Sequence, residues 1–416
     1  MLRNMLSRQP CKLRSSTQRT RVFNKLLLIL ASTFILTGCY SNNPQEIVVT
    51  QASEPPVFTP TSTATTTPSP TSSPTATETL IPPTSTPTPD PILLDPGYNP
   101  LTGQVVEDPS QLERRPVMVK VSNWPREGRP HAGLSAADIV FEYYIGAFMN
   151  RFLAIYYGNN ANVIGPVRSG RLVDAQLAQM YQGLLAYGDA DLAVDQALVD
   201  VLGERALPFH IMPCPAMCGE VTHSATGVFA NSAELTQYAI DQGIDNSKPD
   251  LAGMHFQQDP PPGDELGTIA SFVYADFSLT EWRYDPASSK YLLWQDSEMD
   301  NGRITKSQTV DRNTGLPLGF DNIIILYATY IEHTPSMHDI EVTYSSTYQS
   351  ALFYRDGKMT YGTWHAPDPI HPLIFQTLDG ELMPLKPGQT WIILAGNHTV
   401  TEQVKPGEWD FYFNLP

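Results

Sequence analysis

By type and spacing, Arg168 and Arg171 are the residues of this chain best placed to do chemistry. They bracket Ser169, which reads as the N-cap of a helix whose apolar positions Val173, Leu177, Met180 or Tyr181, and Leu184 recur at helical spacing. The positive end of a helix disfavours each cation by a few tenths to about 1 kcal/mol. Two arginines at such a place make sense as an anion site, where backbone N–H groups and guanidinium forks converge on a phosphate or carboxylate. The other role open to them is structural, pairing with Asp138, Glu142 or Asp174 to fix the fold.

A second chemical group is His210, Cys214, Cys218 and His223, with three, three and four residues between successive members. A third is Leu36-Thr37-Gly38-Cys39, which follows seven basic residues and an apolar run from Leu26 to Leu36. That order is the pattern of a bacterial lipoprotein signal, with Cys39 the acylated N-terminus of the mature protein. The apolar run is too short for a span of about 18 residues or more. Cys11 leaves with the signal and Cys39 carries lipid, so Cys214 and Cys218 remain. Outside the cytoplasm they favour a local disulfide. Free thiols are a second possibility, and a metal set of His210, Cys214, Cys218 and His223 a third, although Cys-x3-Cys is not a standard zinc spacing.

Removing residues 1–38 takes seven of the 26 basic residues and none of the 43 acidic ones, leaving a net charge near −24. This excludes nucleic acid as a partner, and it repels anionic headgroups, so the acyl chains must supply the membrane attachment. The expected location is the cell membrane, lipid-anchored, on the extracytoplasmic face. From Thr59 to Asp90 there are 13 Thr, 8 Pro and 5 Ser in 32 residues. Too few apolar groups remain to offset chain entropy, so residues 39–97 read as the lipidated cysteine and a disordered stalk.

Folding signals begin near Leu101. Pro116–Val121, Ile139–Ile145 and Arg151–Tyr157 read as strands, the last two joined as a hairpin through Gly146–Asn150, and Ser232–Gly243 reads as a helix. After a Pro/Asp/Gly-rich break at Asp259–Gly267 the texture is strand after strand, with Asp356-Gly357 and Asp379-Gly380 at hairpin positions. Asp189 and Asp191 read as turn residues or a cation site, with a carboxylate pair for glycoside chemistry as their other role. The Trp and Tyr residues of this half read mainly as core, with stacking on sugars as their other role.

The chain resembles the YerB-like lipoproteins, the DUF3048 family. The resemblance is carried by Arg114-Arg115-Pro116 to Val121, Asn123, Arg129-Pro130, Gly133-Leu134-Ser135, Ala137–Val140, Glu142, Arg151–Ile155 and above all Ile164-Gly165-Pro166-Val167-Arg168-Ser169-Gly170-Arg171. In the second half it is carried by Thr309-Val310-Asp311, Asn322–Ile325, Asp356-Gly357-Lys358, Gly362-Thr363-Trp364 and Pro387–Ile392. It implies an α+β fold: a mixed α/β N-terminal domain over 98–258, a smaller β-rich domain over 268–396, and a C-terminal tail over 397–416. Where relatives carry a basic stretch ending in Lys-Ala-Pro-His-Asn, this chain has Pro213–Glu220 with two cysteines and keeps His223.

Residues and resemblance together mark Arg151, Arg168, Ser169, Arg171, His223, Glu142 and Asn123 as the candidate ligand-binding set. No nucleophile elbow, P-loop, HExxH helix or Ser-x-x-Lys set is present, and no cofactor is called for. The reading favours a binding or scaffolding protein of the envelope, holding cell-wall fragments or envelope proteins. The alternative is an envelope hydrolase or transferase for a phosphorylated or glycosidic substrate, with His223 or Glu142 as acid/base.

Overall fold

The computed structural model describes residues 95–219, 226–261, 265–343 and 347–416. The signal, Cys39, the stalk and His223 lie outside them. Strand accounts for 44% and helix for 15% of the described residues. This corrects the expected α+β class: the protein is mostly β.

The N-terminal region supplies β1 (Val117–Ser122), the hairpin β2 (Ile139–Gly146) and β3 (Met149–Tyr156), helix α1 (Leu172–Met180), β4 (Leu184–Tyr187), α2 (Leu192–Leu202), β5 (Ala206–Pro208) and α3 (Ser232–Gln242). The hairpin turns at Ala147 and Phe148, both at positive φ. Helix α1 starts later than a cap at Ser169 would give: Arg171 is the N-cap, and its backbone N–H donates to the Asp174 carboxylate at 2.7 Å. Leu184, assigned from spacing to the same helix, opens β4 instead. Asp191, read as a turn residue, caps α2 by accepting from Ala193 N.

Next come β6 (Ile269–Ala275), β7 (Ser278–Asp285), β8 (Lys290–Glu298), β9 (Ile304–Gln308), β10 (Asn322–Thr334), β11 (Met337–Glu341), β12 (Gln349–Arg355), β13 (Lys358–His365), β14 (Ile374–Thr377), β15 (Thr390–Gly396), β16 (Val400–Lys405) and β17 (Glu408–Tyr412). Asp356 and Gly357, both at positive φ, close the β12–β13 hairpin where the sequence placed a turn. The stretch 397–416, expected as a tail, holds β16 and β17.

The principal sheet runs β14-β13-β12-β10-β15-β2-β3-β1-β4-β5, with β11 on β10. It passes through both of the regions that the sequence reading separates, because β15 lies between β10 and β2 and is parallel to both. All seven residues of β15 and all eight of β2 are buried. Strands apolar on both faces can be satisfied only inside a sheet covered on both sides. The second sheet, β9-β8-β7-β6-β17-β16, packs on one face of the first. Trp282, Phe320, Phe152 and Trp391 meet between them at centroid distances of 4.8–5.8 Å. Helices α1 and α3 pack on β4, and α2 packs on α1. No helix among the described residues is long and apolar enough to cross a membrane.

Candidate anion site

In the antiparallel register Ser122 pairs with Arg151 and Arg151 with Tyr143. Directly opposed residues share a face, and Lys120, two residues from Ser122, shares it too. This face carries α1. The segment before α1 lies against β1: Arg168 N donates to Lys120 O at 2.9 Å, and Gly188 N, just past β4, donates to Arg168 O at 2.8 Å. The arginines are thereby placed beyond the carboxyl ends of the parallel pair β1 and β4, at the start of α1. Open α/β sheets commonly bind ligands at such a place. Gly170 makes the close approach possible, since a Cβ there would meet Leu198 Cδ1 of α2 at 2.7 Å.

The side chains then converge. Arg151, only 8% exposed, donates from Nη1 to the Ser169 carbonyl at 2.8 Å. Arg171 Nη1 donates to the Gly170 carbonyl at 2.8 Å. The Nε atoms of Arg151, Arg168 and Arg171 are buried and have no acceptor among the described residues. Among the described residues no carboxylate lies within ion-pair distance of any of the three. Burial lowers all three pKa values; Arg171 and Arg168 lower Arg151 further, and Arg168 helps bring Arg171 down to about 10 against the opposing pull of Asp191. Arginine stays charged in a protein, so these shifts measure the cost of crowding like charges away from water.

Beneath the cluster lies a buried triad that the sequence reading missed. Lys120 Nζ donates to Asp174 Oδ1 at 3.2 Å and to Tyr143 Oη, and Tyr143 Oη donates to Asp174. Burial brings Lys120 down to about 7; Asp174 opposes the fall, and Arg151 and Arg171 add to it. The only sequence signal is one lysine in a strand otherwise without charge. Lys120 and Asp174 are paired with each other, so among the described residues the carboxylate still acting on the cluster is Asp191, which raises Arg171 without forming an ion pair with it.

The acids that could have paired with them are engaged elsewhere. Asp138 accepts from Asn99 and from Tyr157 N, and Asp174 from Lys120 and Arg171 N. Glu142 and Asn123 do not join the cluster. Glu142, on the opposite face, accepts from Asn150 at 2.6 Å, Thr280 at 2.7 Å, Trp391 at 2.8 Å and Tyr274 at 3.1 Å. Asn123 donates to Asn150 and accepts from Gln295, which continues that network. Ser169 enters the site through its carbonyl, and His223 lies outside the described residues.

A cavity of about 580 Å³ beside Trp124 also holds arginines, but Arg126 and Arg129 are both paired there with Asp296, at 2.7 and 3.3 Å. Cys214 and Cys218 are joined in a disulfide, which leaves no thiolate for a metal.

Residues 101–208 match the family model described as "Protein of unknown function (DUF3048) N-terminal domain", and residues 270–392 match the corresponding C-terminal domain. The chain is 27% identical over 288 residues to "Putative lipoprotein YerB" of Bacillus subtilis (strain 168), covering 67% of this chain and 81% of that protein. It is also similar to the crystal structure of the YerB protein from Bacillus subtilis, with a TM-score of 0.59 and 24% identity over 72% of this chain and 96% of that one. This second likeness shows the fold.

Proposed function

The chain belongs to the DUF3048 family, and from that premise we propose that it is a lipoprotein, like its Bacillus relative, acting on the extracytoplasmic face of the membrane as a binding protein. Its ligand carries a phosphate, sulfate or carboxylate, and Arg151, Arg168 and Arg171 hold it. The observation that carries this reading is the set of three converging guanidiniums with no carboxylate within ion-pair distance among the described residues. The start of α1 adds a partial positive charge at the same place. Guanidinium forks suit planar or tetrahedral oxyanions, with two parallel N–H···O bonds to each. Acid/base chemistry by Glu142 is not favoured, because the sheet lies between it and the arginines.

Thermal melts with and without phosphate and sulfate test the proposal. Wild type is expected to gain stability by mass action, about 2.7 kcal/mol at a hundredfold excess over Kd. Arg168→Gln and Arg171→Gln should lose that gain while melting at or above the wild-type temperature without anion, because each removes a crowded cation. If both variants are strongly destabilised and wild type ignores both anions, the arginines are structural and the proposal fails.

A further inference from the structure

Far from the arginines in the sheet order, β12 and β13 carry a groove. Cross-strand pairs Ser350↔Thr363 and Leu352↔Tyr361 place Ser350 and Tyr361 on one face. Tyr361 is 45% exposed, and Tyr348, just before β12, is 61% exposed with its ring edge-on to His365 at 4.6 Å. Ser350, Leu352, Tyr348 and Tyr361, with Tyr327, Asn397 and Trp409, line a cavity of about 750 Å³. That is within the range of about 300–1,000 Å³ of small-ligand sites.

Among the described residues, every side chain lining this cavity is aromatic, aliphatic, hydroxyl or amide, in a chain where 17% of residues are charged. The groove does not end there: Tyr361 and Leu378 also line a neighbouring cavity of about 470 Å³, whose charged members are Glu265, Asp379 and Glu381. Exposed ring faces flanked by hydroxyls and amides match the apolar C–H faces and hydroxyl edges of a pyranose. The acidic neighbour repels anionic polymers, and the continuity of the two cavities suits a chain of rings over a single one. Tyr361 and Tyr327 keep their phenol protons, since burial raises both above the ordinary tyrosine value.

We infer that this groove binds a neutral oligosaccharide, with Tyr348 and Tyr361 as its stacking platforms. It rests on residues separate from the arginine cluster and stands or falls independently of it.

Calorimetry on the full chain with the β-1,4-linked hexamers of N-acetylglucosamine and of glucose tests the inference, with Trp409 fluorescence as a second readout. Saturable binding of at least one hexamer is expected. Tyr361→Ala and Tyr348→Ala should each weaken it about tenfold, while Arg168→Gln leaves it unchanged; all three variants are checked by their melts. The inference is overturned if neither hexamer binds, if the Tyr348/Tyr361 double alanine variant binds as wild type does, or if a neutral unstructured peptide occupies the groove and neither sugar does.

Discussion

Arg168 and Arg171 were legible in the sequence because cations before a helix conflict with its dipole, and such a conflict has to have a reason; Arg151, on a strand, entered through the family resemblance. Glu142 and Asn123 were misplaced for an equally physical reason: a strand alternates faces, so residues close in sequence can be separated by the whole sheet. Lys120, Tyr143 and Asp174 were not legible, since their partnership exists only once register and helix packing are set. Buried titratable groups also govern the response to acid. His131 is 1% exposed, and burial, reinforced by Arg129 and Arg312, holds its pKa at about 3. The unfolded chain binds a proton there near pH 6.5 and the folded chain does not until about pH 3. Stability from this group is therefore complete above about pH 6.5 and is lost as pH falls towards 3, at roughly 1.4 kcal/mol per pH unit. Urea melts of His131→Gln between pH 4 and 6.5 should have a shallower acid slope than wild type; an unchanged slope would mean that His131 does not titrate in this way.

Among the elements, the hairpins were the most legible: Asp356-Gly357 provides the positive φ that a tight turn needs, and the strands around it follow their β-branched and aromatic content. Helix α2 was not foreseen, because Asp191 looks the same whether it turns a loop or caps a helix. The Cys214–Cys218 pair was read from compartment and count, and the structure contains it. A crosslink across so short a loop restricts few unfolded conformations and contributes about 2 kcal/mol on the chain-entropy model. Reduction should lower the melting temperature by only a few degrees. Should reduction abolish the cooperative transition altogether, the loop would be central to the core and the small contribution assigned to the crosslink would be wrong.

For the molecule as a whole, composition gave the charge, and the Cys39 motif gave the expected mode of attachment. Cys39→Ala should move the protein from the membrane fraction to the soluble fraction, since the acyl chains are its expected anchor; retention after a high-salt wash would contradict the lipid anchor. The fold class was the main correction, and its cause is long-range. Apolar strands such as β15 announce that they are buried, but not that their neighbours lie in the other half of the chain. Trp391 of β15 donates to Glu142 of β2 across 249 residues of sequence. Contacts at that separation are slow to form, because loop-closure entropy must be met first. On the proposed export from the N-terminus, β2 would leave the membrane well before β15, the strand that lies between it and β10. The interleaving that binds the two regions together would then hold back completion of the principal sheet until β15 has crossed.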